Sequence, residues 1–192
     1  DLVRSRGLGD VYKRQTIYTS NCKHKEYLEY KKQLIGKGKI NHVDSNGYNQ
    51  TPIYTYYGGA WFSLKLIKEL PIEEVVSNLD ELGLALWFYD DGSLHKRDLY
   101  YNLNTQKFSL NIQENVFIPF FESIGVKAKV RVDNNHSRPL YYLGINKYEG
   151  AYIIHSILAK YPINCYSYKL WSSETIQKWS KLQAVSYTHL RA

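Results

Sequence analysis

Two adjacent carboxylates close an apolar stretch: Leu84-Ala85-Leu86-Trp87-Phe88-Tyr89 is followed directly by Asp90, Asp91, Gly92 and Ser93. The segment from about Asn78 to Tyr89 has the length and apolar density of a buried helix, which sets both aspartates at its C-terminal end. Anions are disfavoured there. The aligned peptide dipoles present partial negative charge at that end, so each carboxylate costs roughly 0.3–1 kcal/mol unless a cation compensates. Two readings follow. Asp-Gly makes a solvated turn with Gly92 as the helix stop. Alternatively, the carboxylates hold a hard divalent cation, which takes carboxylate and backbone carbonyl oxygens and completes its shell with substrate phosphates.

A second stretch suits a polyanion. Val126-Lys127-Ala128-Lys129-Val130-Arg131-Val132 alternates, so a strand places Lys127, Lys129 and Arg131 on one face and the apolar residues on the other. The same pattern describes a solvated sheet face or a lysine-guarded edge strand. Neighbouring extended segments, Asp98 to Asn104 and Leu140 to Asn146, add Tyr100, Asn102, Asn104, Tyr141 and Asn146 as candidate contacts, with the face of each left open. Lys23, His24 and Lys25 stand at a junction between an extended segment and a helix, where they either meet a nucleic-acid backbone or are simply solvated. Trp61, Trp87, Trp171 and Trp179 read as core filling.

Composition narrows the class. The chain has 192 residues, 44% of them hydrophobic, and a formal charge of +7. No apolar run approaches the roughly 18 residues of a membrane span, so no membrane association is expected. Cys22 and Cys165 are isolated and the six histidines form no zinc spacing, which points to a reducing, intracellular compartment without structural metal or disulfide. The wealth of Tyr, Lys, Asn and Ile suits an AT-rich genome, whether of an organelle, a phage or a bacterium. Residues 1–15 (DLVRSRGLGDVYKRQ) and 185–192 (VSYTHLRA) read as translated adapter sequence bordering a gene fragment, and with no methionine present the true start is expected upstream. Without those segments' charges of +2 and +1 the balance is +4, still on the side of polyanion partners.

The halves repeat. Ser20–Gly36 matches Ser109–Gly125, Pro52-Ile53-Tyr54 matches Pro139-Leu140-Tyr141, and Gly59 through Ile72 matches Gly150 through Ile163, in order and at nearly constant separation. Each unit reads as strand, strand, helix, strand, strand, helix, with Gly36 and Gly125 as helix stops. The second unit has the apolar helix before it; the first should carry its equivalent where residues 1–5 stand.

Leu84 through Ser93 resembles the LAGLIDADG motif, in the variant form L-A-x-W-[FY]-x-D-D-G-S, and Leu103-Asn104-Thr105-Gln106 and Tyr168-Lys169-Leu170 resemble its companion motifs. The chain is thereby similar to LAGLIDADG homing endonucleases. The resemblance implies an α+β fold of tandem pseudo-twofold repeats (αββαββα), each with a four-stranded antiparallel saddle. Residues 16–77 would form an incomplete first repeat lacking its motif helix, and residues 78–184 the second. It implies a magnesium-dependent, monomeric enzyme, intron- or intein-associated, in which water activated by the metal attacks double-stranded DNA to leave a staggered break. This chain is expected to be impaired by the absence of its first motif helix. By carry-over, Asp91 is the catalytic carboxylate and metal ligand, Asp90 a further metal ligand through its carbonyl or its charge, and Gln106 positions water. Lys107 or Lys169 would stabilise phosphate charge. Relatives of this fold that bind intron RNA as maturases, or DNA as regulators, without cleavage are the alternative. Tyr89 replaces the first Asp of the family motif and Leu86 its Gly.

Overall fold

A computed structural model describes residues 17–43, 53–60, 67, 69–135, 137, 139–145 and 148–189. The chain divides into two compact units, residues 1–75 and 76–192. In the first, β1 (Ile17–Cys22) leads to α1 (Lys25–Ile35), β2 (Lys39–Val43) and β3 (Ile53–Ala60). The described residues form an antiparallel sheet of order β1-β3-β2. That is three strands where four are expected; residues 44–52 fall outside the described set. α1 lays Tyr27, Leu28 and Lys31 into the core, and the Lys31 ammonium is satisfied by Ser20 Oγ at 3.0 Å and by the face of Tyr27. Gly36 ends the helix at φ 88°, a left-handed conformation that only glycine adopts without penalty, and its N–H donates to Lys32 O at 2.7 Å.

α2 (Ile72–Ser77) leads into the second unit, where α3 (Glu81–Asp91) passes straight into β4 (Gly92–His95). β5 (Tyr100–Leu103) follows, then helix α4 (110–123), β6 (Ala128–Asp133), β7 (Leu140–Ile145), α5 (Glu149–Lys160), a 3₁₀ turn (Asn164–Lys169) and α6 (Ser173–His189). The sheet is antiparallel with order β4-β5-β7-β6. From α3 to α5 this is the expected αββαββα order, and the mixed α+β fold with antiparallel sheets stands. The repeat is seen in part: Gly125 stops α4 at φ 77° as Gly36 stops α1, and β3 and β7 begin one residue after Pro52 and Pro139. The third matched block departs, because Gly59 and Ala60 end β3 whereas Gly150 and Ala151 lie in α5.

α3 starts later and ends later than its composition suggests. Asp80 caps it, its Oδ1 accepting from Gly83 N at 2.7 Å, which sets the first turn after Asn78 and Leu79. At the other end the helix includes both aspartates. Gly92 is not a left-handed stop: it is extended (φ −85°, ψ 152°), and a Cβ there would lie 2.5 Å from Phe88 O and 2.7 Å from Phe88 Cδ1. Space, not conformation, requires glycine. Gly92→Ala should therefore push β4 off the helix end and cost about 2–3 kcal/mol by overpacking, read as a fall in the denaturation midpoint.

The core sits between the sheet and its helices. Tyr101, Leu103, Leu143 and Ile145 project from one sheet face and are fully buried, as are Phe88, Phe117 and Phe121. Phe88 meets Tyr101 and Phe121 edge-on, and Trp87 packs on Phe117 and Phe121. Trp87 and Trp171 are buried as expected; Trp61 lies outside the described residues. His155 is buried against Trp171, its ring stacked at 5.5 Å and its Nδ1 accepting from Trp171 N at 3.2 Å. Burial lowers its pKa, so the fold favours neutral imidazole. The unfolded chain takes up that proton near the ordinary value of about 6.5, so stability is full above it and falls as pH drops towards the lowered folded value. Melting temperatures followed downward from neutral pH should show this loss, and His155→Phe should flatten it.

Candidate active site and nucleic-acid face

Asp91 is held where helix becomes strand. Its carbonyl accepts from Asn104 N at 2.9 Å, tying the end of α3 to the exit of β5. From the end of β5 the chain alternates: Leu103 and Thr105 are buried, while Asn102, Asn104 and Gln106 line a pocket of about 400 Å³ that Asp91 and Ser93 border. Gln113 fixes this loop from below. Fully buried at the start of a π-turn (Gln113–Phe117), its Nε2 donates to Thr105 O, Phe108 O and Tyr141 O at 3.0–3.2 Å, and Thr105 Oγ1 donates to its Oε1 at 2.8 Å. A buried amide with every bond made rigidifies what it touches. Gln106 is thus presented on a fixed turn, with exposed Lys107 beside it.

The liability at the end of α3 is met by Lys169. Its ammonium, on a residue only 6% exposed, donates to Tyr89 O at 2.6 Å and to Phe88 O at 3.1 Å, the latter also accepting from Gly92 N at the helix end. The Tyr166 ring lies 4.8 Å from that ammonium and stacks on Tyr89, and Lys169 O accepts from Tyr101 Oη at 2.7 Å. Burial pushes the Tyr101 phenol well above its ordinary pKa, so it remains a donor. Lys169 does not line the pocket. Its cation sits at the last turn of α3, on the main-chain oxygens of Phe88 and Tyr89. Tyr89 reaches α5, donating to Leu158 O at 2.9 Å and Tyr161 O at 3.1 Å, which accounts for an aromatic phenol where the family motif has a carboxylate.

The oxygen donors around the pocket suit a hard cation. Asp91 supplies a carboxylate, and the buried Asn102 Oδ1 has no hydrogen-bond partner. No group of three His, Cys, Asp or Glu side chains converges among the described residues. A zinc set is therefore lacking there, whereas one carboxylate with amide oxygens fits magnesium, which relies on phosphates for much of its shell. Asp90 does not line the pocket.

Strand register divides the other candidates. Ser93 faces Asn102, His95 faces Tyr100, Asn102 faces Gly144 and Gly144 faces Lys129, so these residues share the sheet face opposite the core. Lys129 is exposed and Arg131 half-buried on this face; Lys127 is exposed just before β6. The register also fixes the face of Tyr141, which the sequence leaves open. It shares parity with Leu143 and Ile145, whose burial commits it to the helix-covered side, and Tyr142 takes its place at the pocket. Asp133, Asn134 and Asn135, at the end of β6, also border the pocket; as turn-forming residues they gave no chemical signal in the sequence. Asn146 lies outside the described residues. In the first unit Lys23 is exposed ahead of α1, and Lys25 pairs with Glu29 at 2.9 Å, a contact that raises its pKa.

No helix among the described residues is long and apolar enough to cross a membrane. No curated protein matches the chain. The solved structure of the homing endonuclease I-WcaI bound to its DNA recognition sequence is similar, at 18% identity and a TM-score of 0.68, covering 89% of this chain and 82% of that one. At that identity the likeness concerns the fold. The family model of the LAGLIDADG DNA endonuclease family matches residues 10–153, well over half of the sequence, and with the αββαββα unit and its Asp-Gly helix end it places this chain in that family.

Proposed function

We propose that this protein is a site-specific endonuclease that binds double-stranded DNA across the open sheet face and hydrolyses phosphodiesters at the pocket beside Asp91, leaving a staggered break. The observation that carries this reading is the position of the Asp91 carboxylate: it ends a buried helix at the border of a polar pocket continuous with a sheet face bearing Lys129 and Arg131. We assign Asp91 and Asn102 as oxygen donors to Mg2+, with Asp90 as a nearby charge. When bound, the ion supplies Lewis acidity at the scissile phosphate and makes water nucleophilic at neutral pH. Gln106 and Asn104 orient that water through fixed amides. Lys107 is placed to neutralise phosphate charge, and Lys127, Lys129, Arg131, Tyr100 and Lys23 contact the duplex. The domain assignment follows: residues 78–184 form one complete repeat of the L-A-x-W-[FY]-x-D-D-G-S kind and residues 16–77 part of another, in one monomeric chain that is intron- or intein-associated.

A double-strand break needs a carboxylate at each of two phosphodiesters. The alternative is a chain of the same fold that binds intron RNA or duplex DNA without cleavage. The test is a cleavage selection: the purified chain is incubated with randomised duplexes and magnesium, and cut molecules are recovered by end-sequencing. A common site cleaved with magnesium and spared with EDTA supports the endonuclease. Retention of duplexes or intron RNA with intact backbones supports the alternative.

A further inference from the structure

One layer of the open face is built unlike the rest. His95 on β4 and Tyr100 on β5 are register partners, their rings stacked at 4.7 Å and 8°. Asp98 in the intervening hairpin lies beside the imidazole, with Oδ2 3.2 Å from Nδ1 but outside hydrogen-bond geometry. Arg131, two strands away on β6, extends across β7 to the same tyrosine, with Cζ 4.6 Å from the ring centroid. The route runs over Gly144, where any Cβ would collide with the Nε and Cδ of Arg131. Nε is buried there and has no hydrogen-bond partner. Among the described residues no ion pair or hydrogen bond gives this guanidinium an acceptor. It is oriented by a ring face and a glycine gap, with no carboxylate to occupy its donors.

A guanidinium fixed in this way is a planar fork whose two Nη atoms remain to meet a ligand, since Nε faces the sheet. In a sheet lying in the major groove, the group matching that fork is the O6/N7 edge of guanine. A phosphate contact needs no such preparation, because a flexible cation serves it equally well. We propose that Arg131 reads a single guanine in the recognised duplex and that Tyr100, backed by His95, is a positioning residue that holds it in the reading pose. This rests on the DNA-binding reading of the sheet face and names the base it distinguishes.

The test is a binding selection on randomised duplexes with the full chain and its Arg131→Gln, Tyr100→Leu and Tyr100→Phe variants, each checked for folding by thermal melting. The wild-type chain should demand guanine at one position, discriminating on the order of 10- to 100-fold against other bases. Arg131→Gln should relax that position alone. Tyr100→Leu should relax the same position, and Tyr100→Phe, which keeps the ring, should restore it. If Arg131→Gln instead weakens all sequences equally and reduces the salt dependence by about one ion, Arg131 contacts phosphate and the proposal falls. If the wild-type chain selects DNA but Tyr100→Leu leaves the Arg131-dependent position sharp, the positioning role falls. Failure of the wild-type chain to retain any duplex removes the DNA reading itself, and this inference with it.

Discussion

Asp91→Asn is expected to reduce magnesium-dependent cleavage roughly 10²- to 10⁴-fold, the loss that follows when a few kcal/mol of transition-state stabilisation disappears. Asparagine keeps the size of the side chain, so the packing of Phe88 and Trp87 below it is undisturbed and the melting temperature should hold. Binding should be no weaker, since one negative charge is removed from a surface that faces phosphates. Gel-shift affinities and single-turnover rates on the same site separate the two effects. A variant that nicks one strand would show that a second carboxylate acts at the other phosphodiester. Full double-strand cleavage by Asp91→Asn would remove the residue from the chemistry.

Lys169→Met should act through stability. Methionine fills the space of the lysine stem but withdraws a buried cation from the carbonyls of Phe88 and Tyr89, in the last turn of a helix that ends on two aspartates. Breaking a buried charged contact of this kind costs about 3 kcal/mol or more, equivalent to roughly 6–12 °C in melting temperature for a chain of this size. Chemical denaturation of the purified variant measures it directly. An unchanged midpoint with slowed cleavage would instead assign Lys169 to the phosphate.

Those two residues also show where sequence reasoning reached and where it stopped. The apolar run, the Asp-Asp-Gly ending and the alternation around Lys129 mark local periodicities, and local periodicity is what sequence displays; the helix and the sheet face follow from it. The same reasoning asked which cation offsets the charge at the end of α3, and the answer lay far along the chain in a 3₁₀ turn. Lys169 was visible as a basic residue in a motif, but only tertiary packing shows that its ammonium turns inward. Tyr141 and Tyr142 differ by one residue, and adjacent aromatics carry no sign of which faces the core until Leu143 and Ile145 fix the parity. Asp-Gly after a helix offers Gly92 as a helix stop in one of two readings, whereas what requires glycine there is a collision with Phe88 that no linear pattern records. Gln113 stands among Asn111, Glu114 and Asn115, so nothing in the sequence marks it as the buried anchor beneath the Asn104–Gln106 turn.

Between Asp91 and Gly92 there is no loop: the last residue of α3 is bonded to the first of β4, and Asn104 N fastens the same point to β5. Ruler and blade thus share one stiff joint. If a mismatched duplex lifts β4 or β5 by a fraction of an ångström, Asp91 must travel with it, and a 1 Å misplacement of a reacting group can cost about 10²-fold in rate. Base pairs under these two strands should consequently be proofread at the chemical step, tolerated in binding yet rejected in cutting, while pairs under β6 are judged mainly by affinity.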